Sequence, residues 1–304
     1  MKTVLITGGT GLLGKRISFL LEQKGYKIRH LSRSENLGAD YPAYQWNPLT
    51  QTIDLRAFDD IYGLIHLAGA NIAAARWTSK QKKIILESRI QSSQLLVDSL
   101  QKIKNKPAVV VGCSAIGYYG NSSTTIPLSE NSPQGNDFMS EVCQKWESSI
   151  APIRQLGIRT PIIRVGIVLS TQGGALQQLN KSYPFRLGTY FGNGQQYYSW
   201  IHLDDICQIF IKALEDKNMS GTYNGTSPFP ATNKTIAHAI AQVYKQKTLI
   251  LPIPRLVAQL LMGEMSAIVL NNTPVIPQAL QELNYSFLFP DLDSALKDIF
   301  DRKI

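Results

Sequence analysis

The chain has 304 residues, 44% of them hydrophobic and 17% charged, with a formal net charge of +9. That balance excludes a disordered chain, and the length suits one large α/β domain or one such domain with a smaller lobe. Three widely spaced cysteines (Cys113, Cys143, Cys207) and four scattered histidines (His30, His66, His202, His238) argue against a disulfide framework and a metal site.

The first strand begins almost at Met1, as Lys2 to Thr7, with no signal-peptide pattern ahead of it. Leu12 to Gln23 reads as a helix that Gly25 stops, and Tyr26 to Ser32 as a second strand. Ile61 to Ala68 is a later strand. Thr78 to Ile103 carries apolar residues at helical spacing, and Ala108 to Cys113 is a short apolar strand. Phe138 to Gln155 reads as an amphipathic helix and Arg159 to Leu169 as a strand. The alternation predicts a Rossmann-type, doubly wound parallel sheet covered by helices on both faces.

After Ser170, Gly, Pro and aromatic residues become frequent through Phe229. A helix (Asn233 to Tyr244), a short strand (Thr248 to Leu251) and further helices follow. The expected division is a Rossmann domain over residues 1–220, with a substrate-lobe segment near 171–200, and a smaller C-terminal α/β substrate lobe over 221–304. The most apolar late stretch, Leu256 to Leu270, is broken by Gly263 and Glu264 and is too short to span a bilayer. A cytoplasmic protein with no membrane partner is expected. The positive charge is spread along the chain without interleaved aromatics, so no nucleic-acid partner is expected either.

The segment Val4-Leu5-Ile6-Thr7-Gly8-Gly9-Thr10-Gly11-Leu12-Leu13-Gly14 joins the first strand to the first helix. Gly8 suits a tight turn, Gly11 lets a pyrophosphate approach, and Gly14 brings the helix close to the sheet. Gly8, Thr10, Gly11, Leu12 and Leu13 form the expected cofactor loop. An NAD-preferring site usually has a carboxylate at the end of the second strand. Here Ser32 and Arg33 stand there, and Arg33 can pair with a phosphate. NADP is therefore expected in preference to NAD.

The chain resembles the extended, atypical short-chain dehydrogenase/reductases, and within them the epimerase-like relatives of nucleoside-diphosphate-sugar epimerases. The likeness runs over nearly the whole length. It includes the glycine loop, His66-Leu67-Ala68-Gly69-Ala70-Asn71, Ser88-Arg89, Ser114-Ala115-Ile116-Gly117-Tyr118-Tyr119-Gly120, Arg164-Val165-Gly166-Ile167, Trp200-Ile201-His202-Leu203-Asp204-Asp205 and Leu261-Met262-Gly263-Glu264. The resemblance implies that Leu67, Ala68 and Gly69 line the adenosine and ribose side of the cofactor. It implies that Arg89 reaches the cofactor from the following helix, and that Gly166 and Ile167 sit near the nicotinamide. It also implies a small-molecule substrate and pairing of two copies through long Rossmann helices.

Members of that superfamily usually pair a tyrosine with a lysine four residues later, beside a serine. Ser114 stands at the serine position, but with Glu147 aligned to the acidic residue common late in the following helix, Met139 and Cys143 fall where the tyrosine and lysine belong. No tyrosine in the chain is followed by lysine at the fourth position. Two readings stay open. Ser114 with Tyr118 or Tyr119 and Glu141 handles the proton, or the chain binds NADP without redox chemistry as a regulator. Gln195, Trp200 and His202 are the expected substrate wall, with Asp204 and Asp205 capping the next helix.

Overall fold

The computed structural model describes residues 1–302. β1 (Thr3–Thr7) is followed by α1 (Leu12–Gln23) and β2 (Lys27–Ser32). β3 (Ala43–Asn47), β4 (Thr52–Ile53) and β5 (Ile61–His66) precede the long α2 (Ser79–Lys102) and β6 (Val109–Ala115). Next come α3 (Phe138–Ile150), β7 (Ile162–Val165), β8 (Ile167–Leu169), α4 (Gly174–Leu179), β9 (Leu187–Phe191), β10 (Tyr197–Tyr198) and β11 (Trp200–His202). The chain continues through α5 (Leu203–Glu215), β12 (Thr222–Gly225), β13 (Ala231–Thr232), α6 (Asn233–Val243) and β14 (Leu249–Ile253). It ends with α7 (Arg255–Met262), α8 (Ala267–Leu270), α9 (Gln278–Glu282) and α10 (Leu292–Asp301).

Eight strands form one sheet in the order β12-β7-β6-β5-β1-β2-β3-β4, parallel throughout except for β4, which runs antiparallel to β3. All five residues of β1 are buried, as expected for a strand covered on both faces. Strand order reverses beside β1, and in open α/β sheets that switch point, at the carboxyl ends of the strands, is where a ligand crevice forms. Ile17 and Leu21 bring the apolar side of α1 onto the sheet, and α5 packs beside α1. A second apolar cluster, with Tyr183, Trp200, Ile240 and Leu296 at its centre, fills the smaller lobe.

The main differences from the sequence reading have local causes. The strand expected over 159–169 divides at Gly166: β7 belongs to the main sheet, while β8 pairs with β11. A Cβ at Gly166 would stand 2.6 Å from the Ser199 carbonyl oxygen, so only glycine fits the switch. The helix expected to reach Gln155 stops at Ile150 and gives way to a 3-10 turn (Ala151–Leu156), because Pro152 has no N–H to continue it. β12 lies beyond residue 220 yet completes the main sheet, so the Rossmann body reaches Gly225. The short strands β3, β4 and β9 carry mixed, partly exposed residues and no clear alternation.

Among the described residues, no helix is long and apolar enough to cross a membrane, and no cluster of His, Cys, Asp and Glu is arranged to hold a metal.

Candidate cofactor and reaction site

The glycine loop turns at Gly8, whose φ of +69° lies in the left-handed region, and Gly11 N–H donates to the Gly8 carbonyl at 3.0 Å. A Cβ at Gly14 would stand 2.3 Å from that same oxygen, so α1 can leave the loop this closely only from glycine. Gly11 caps α1 without a side-chain hydrogen bond, and no acidic residue follows in the first turn. The helix end therefore offers free N–H donors to an anion. Thr10 and Gly11 are exposed and Leu12 and Leu13 half-buried.

Ser32 and Arg33 close β2 at the same edge. Ser32 is half-buried, and its Oγ accepts from Ser34 N–H at 3.4 Å. Arg33 is exposed, and its guanidinium has no partner among the described residues.

The turn after β5 is held by Thr7. Its hydroxyl accepts from Leu67 N–H (3.0 Å) and Ala68 N–H (3.1 Å). Its one proton is left for His66 Nδ1 at 2.8 Å, so the ring proton sits on Nε2, which faces Ser93 Oγ at 3.2 Å. Complete burial lowers the His66 pKa to about 3, and the nearby Arg89 charge acts in the same direction. Neutral His66 thus fixes the turn that carries Leu67, Ala68 and Gly69.

Arg89 lies against that turn. Its Nη1 donates to the carbonyls of Ala70 (3.2 Å) and Ile85 (2.9 Å), and its guanidinium sits 4.8 Å from the Trp146 ring centre. It is 9% exposed and has no carboxylate partner among the described residues. Burial lowers its pKa, and its Nε and Nη2 hydrogens remain unpartnered. A buried cation left in this state suits a bound anion or sugar hydroxyl. With the loop and Arg33, it makes a site that fits a dinucleotide.

The reaction side is different. Ser114 is 1% exposed, and its hydroxyl donates to Glu147 Oε1 at 2.7 Å. Glu147 holds Arg164 bidentately (2.8 and 2.9 Å), and Arg164 Nη1 donates to the Tyr119 hydroxyl at 2.9 Å. Tyr119 in turn donates to Asn224 Oδ1 at 2.8 Å. Burial opposes the Arg164 charge, but Glu147 more than compensates and holds it protonated. Burial pushes Tyr119 up to about 12 despite Arg164. Ser114 therefore faces an internal ion pair and presents no hydroxyl to the crevice.

Tyr118 is half-buried, with Arg164 stacked 3.4 Å from its ring centre and no hydrogen-bond partner on its hydroxyl among the described residues. Glu141 is exposed and pairs with Lys145 at 2.7 Å, so it points out from α3. Met139 and Cys143 pack beneath Gly117, where a Cβ would meet them at 3.2 and 3.4 Å. Burial pushes the Cys143 thiol up to about 12, so it stays protonated. Met139 also belongs to an apolar cluster with Ile72, Trp77, Phe138, Met265 and Ile268. The segment after α7 thus closes over the start of α3.

Gly166 and Ile167 lie at the strand switch beside this network, both half-buried. The expected substrate wall is not assembled. Gln195 is exposed, but Trp200 is wholly buried, its indole N–H donating to the Phe229 carbonyl at 3.1 Å. His202 is buried too. Its Nδ1 accepts from Asp204 N–H at 3.0 Å, and Nε2 faces Asp298 at 3.2 Å. His202, and not Asp204 or Asp205, caps α5. The sequence assignment failed because an aromatic or histidine in a strand reads alike whether it lines a pocket or a core. Asp204 instead joins Arg16 of α1 to Arg302, and Asp205 accepts from Leu288 and Phe289 N–H.

Sequence reasoning also missed Thr7, His66 and the Glu147–Arg164 pair. An arginine inside the apolar strand Ile162–Val165 was the available signal, since such a charge needs a buried partner.

Comparison with known proteins agrees with this geometry. Residues 4–141 match the NAD dependent epimerase/dehydratase family, and residues 253–299 match a domain of unknown function, DUF1731. An epimerase family protein of Staphylococcus saprophyticus is 36% identical over 301 residues, covering 98% of this chain and 99% of that protein. The crystal structure of human epimerase family protein SDR39U1 with NADPH superposes with a TM-score of 0.88 at 31% identity, covering 98% and 99% of the two chains. A nucleoside-diphosphate sugar epimerase from Corynebacterium glutamicum superposes with a TM-score of 0.79 at 28% identity, covering 97% of this chain and 57% of that one. The fold and site define an NAD(P)-type Rossmann protein of the short-chain dehydrogenase/reductase kind. This chain belongs to the epimerase family and carries the DUF1731 domain at its C-terminal end.

Proposed function

We propose that this chain is an NADP-dependent oxidoreductase or epimerase acting on a small polar substrate, with nucleotide sugars the first class to try. The observation that carries the reading is the set of unpartnered donors around the crevice: the uncapped start of α1, Arg33 beside Ser32, and buried Arg89. The human relative solved with NADPH and the bacterial sugar-nucleotide epimerase support the cofactor and the substrate class. When bound, the cofactor supplies or accepts a hydride. The chain's part is to hold the phosphates on the α1 end, Arg33 and Arg89, and to keep the turn at Leu67–Gly69 in place through Thr7. Gly166 and Ile167 flank the reacting end. Tyr118 is the proton donor in this reading, because its hydroxyl alone among Ser114, Tyr118, Tyr119 and Glu141 is neither committed to an internal partner nor turned outward. Ser114 bears on Tyr118 only indirectly, by holding the Glu147–Arg164 pair whose guanidinium stacks on the Tyr118 ring, and Glu141 stays at the surface with Lys145. The working form is a homodimer in the cytoplasm, joined through the flank of α2 and α3, where Ile84 is exposed. Nucleic acid plays no part.

A second reading is favoured by one observation: Met139 and a protonated Cys143 fill the dyad positions, which suits an NADP-binding regulator without turnover. Titration with NADPH and NADH by fluorescence, then assays with nucleotide sugars, separates the two. Arg33→Ala is expected to weaken NADPH about tenfold or more and leave NADH unchanged, as for loss of a charge-assisted phosphate contact. Turnover lost in Tyr118→Phe supports the enzyme. NADPH binding with no turnover on any substrate favours the regulator, and binding of neither nucleotide overturns both.

A further inference from the structure

The small lobe has an unusual charge distribution. The chain contains no Asp or Glu between Glu147 and Asp204, and none between Asp216 and Glu264. These stretches build most of the lobe beyond the sheet, including β9, β14 and α7. Within them, Lys181, Arg186, Lys234, Lys245, Lys247 and Arg255 are all exposed, and none is in an ion pair among the described residues.

The same lobe exposes apolar side chains in register. Leu187 pairs with Leu249 across the parallel ribbon of β9 and β14, and Leu251 shares their face by strand alternation. All three are exposed, as is Phe185 just before the ribbon. The other face is the inward one, where Gly188 lies against Tyr183. Two residues after β14, α7 begins, with Leu256 and Leu260 each 79% exposed and Val257 and Leu261 beside them at the same four-residue spacing. Ala258 alone of that helix is buried. Arg255 and Gln259 flank the stripe. A patch this apolar on a soluble fold marks a contact surface.

We propose that this face rests on an anionic membrane surface, with the leucine side of α7 and the exposed edge of the β9–β14 ribbon in the headgroup layer and the uncompensated lysines and arginines against lipid phosphates. A short helix with a leucine stripe and basic neighbours fits an interfacial position. Two other occupants fit less well. A second copy using the same face would bring together the unpaired Arg186, Lys245, Lys247 and Arg255 of both copies, on segments that carry no carboxylate of their own. A protein partner would more usually meet Trp, Tyr and Arg anchors than a bare row of leucines. The sequence-based expectation of no membrane partner rested on the lack of a spanning segment, and a peripheral contact needs none.

The test is sedimentation of the full chain with vesicles of pure phosphatidylcholine and of phosphatidylcholine mixed with an equal part of phosphatidylglycerol, alongside light scattering without lipid. Binding to the anionic vesicles only, weakened by added salt, is expected. Leu256→Asp with Leu260→Asp should abolish it, while Lys245→Gln with Lys247→Gln should weaken it by about fivefold per lysine removed. Both pairs are exposed and outside the cofactor site, so unchanged thermal unfolding and NADPH binding show that the fold is intact. No vesicle binding overturns the proposal. So does equal binding to neutral vesicles, or a dimer in solution that the leucine variants dissociate.

Discussion

The two sides of the crevice treat their polar groups in opposite ways. On the glycine-loop side, donors are left over: the α1 end is uncapped, Arg33 is free, and Arg89 is buried with two sets of hydrogens unspent. On the reaction side, a chain of donors is closed within the protein, from Ser114 through Glu147, Arg164 and Tyr119 to Asn224, and of the four candidate groups there only the Tyr118 hydroxyl is left without a partner among the described residues or an outward turn. The dyad positions hold a thioether and a protonated thiol. An unspent donor in a crevice costs stability unless a ligand takes it, whereas a closed network stabilises the fold and offers nothing to a ligand. Binding and chemistry are therefore separable here, and variants can show how far.

The largest expected effect is on the closed side. In the Glu147–Arg164 pair, the side chains are 13% and 6% exposed. Glu147→Ala strands the Arg164 cation and leaves the Ser114 hydroxyl without its acceptor. A loss of about 3–5 kcal/mol in chemical denaturation is expected, as for other broken buried pairs. NADPH affinity in the folded fraction should hold, because the loop, Arg33 and Arg89 make no contact with Glu147. A matching fall in affinity would break the comparison.

Acid should act on the open side. His30 donates to Ser18 Oγ, whose own proton goes to the Gly14 carbonyl, and its ring is where a Cβ on Gly9 would fall. Burial lowers its pKa to about 4, and burial with Arg89 lowers that of His66 to about 3. The unfolded chain takes up these protons near the ordinary 6.5, while the folded chain refuses them. Stability contributed by the neutral rings is complete above that value. It falls as pH drops from about 6.5 towards about 4, by about 1.4 kcal/mol per pH unit for each histidine. Burial lowers His202 too, but Asp204 and Asp298 oppose it. The lowered carboxylates Asp54, Asp204, Asp216 and Asp291 act only below 3.8, and Asp205, raised by burial, works in the opposite sense. NADPH affinity of the folded chain should hold through this window, because the folded rings stay neutral, and weaken only as pH falls to about 4, where His30 beside the glycine loop takes up its proton. A denaturation profile flat between pH 4 and 6.5 would remove the histidines from the account.

What the sequence disclosed follows the same division. The strand before the glycine loop was legible to within one residue and α1 to the residue, because turn, strand and helix signals are local there. The preference for NADP was legible because a carboxylate was missing from a position that usually has one. The closed network was not, since Ser114 and Glu147 are 33 residues apart and meet only through the packing of α3 on β6. Trp200 and His202 were misplaced because side-chain type alone cannot separate a core face from a pocket. The strand switch at Gly166 depends on the Ser199 carbonyl, which comes from a distant loop.

The smallest effect is the sharpest on chemistry. Ser114 donates one hydrogen bond to Glu147, whose Oε1 also receives Arg164 Nε at 2.8 Å. Ser114→Ala removes one of those two donors and opens little space, so about 1 kcal/mol of stability should be lost. If the hydroxyl serves only the ion pair, NADPH binding and turnover stay close to wild type, while Tyr118→Phe abolishes turnover. A serine acting on the substrate would instead lower turnover by about a hundredfold or more with binding intact. That result would require the Ser114 side chain to leave Glu147 when substrate arrives, and the closed side of the crevice would then be a resting arrangement that the substrate opens.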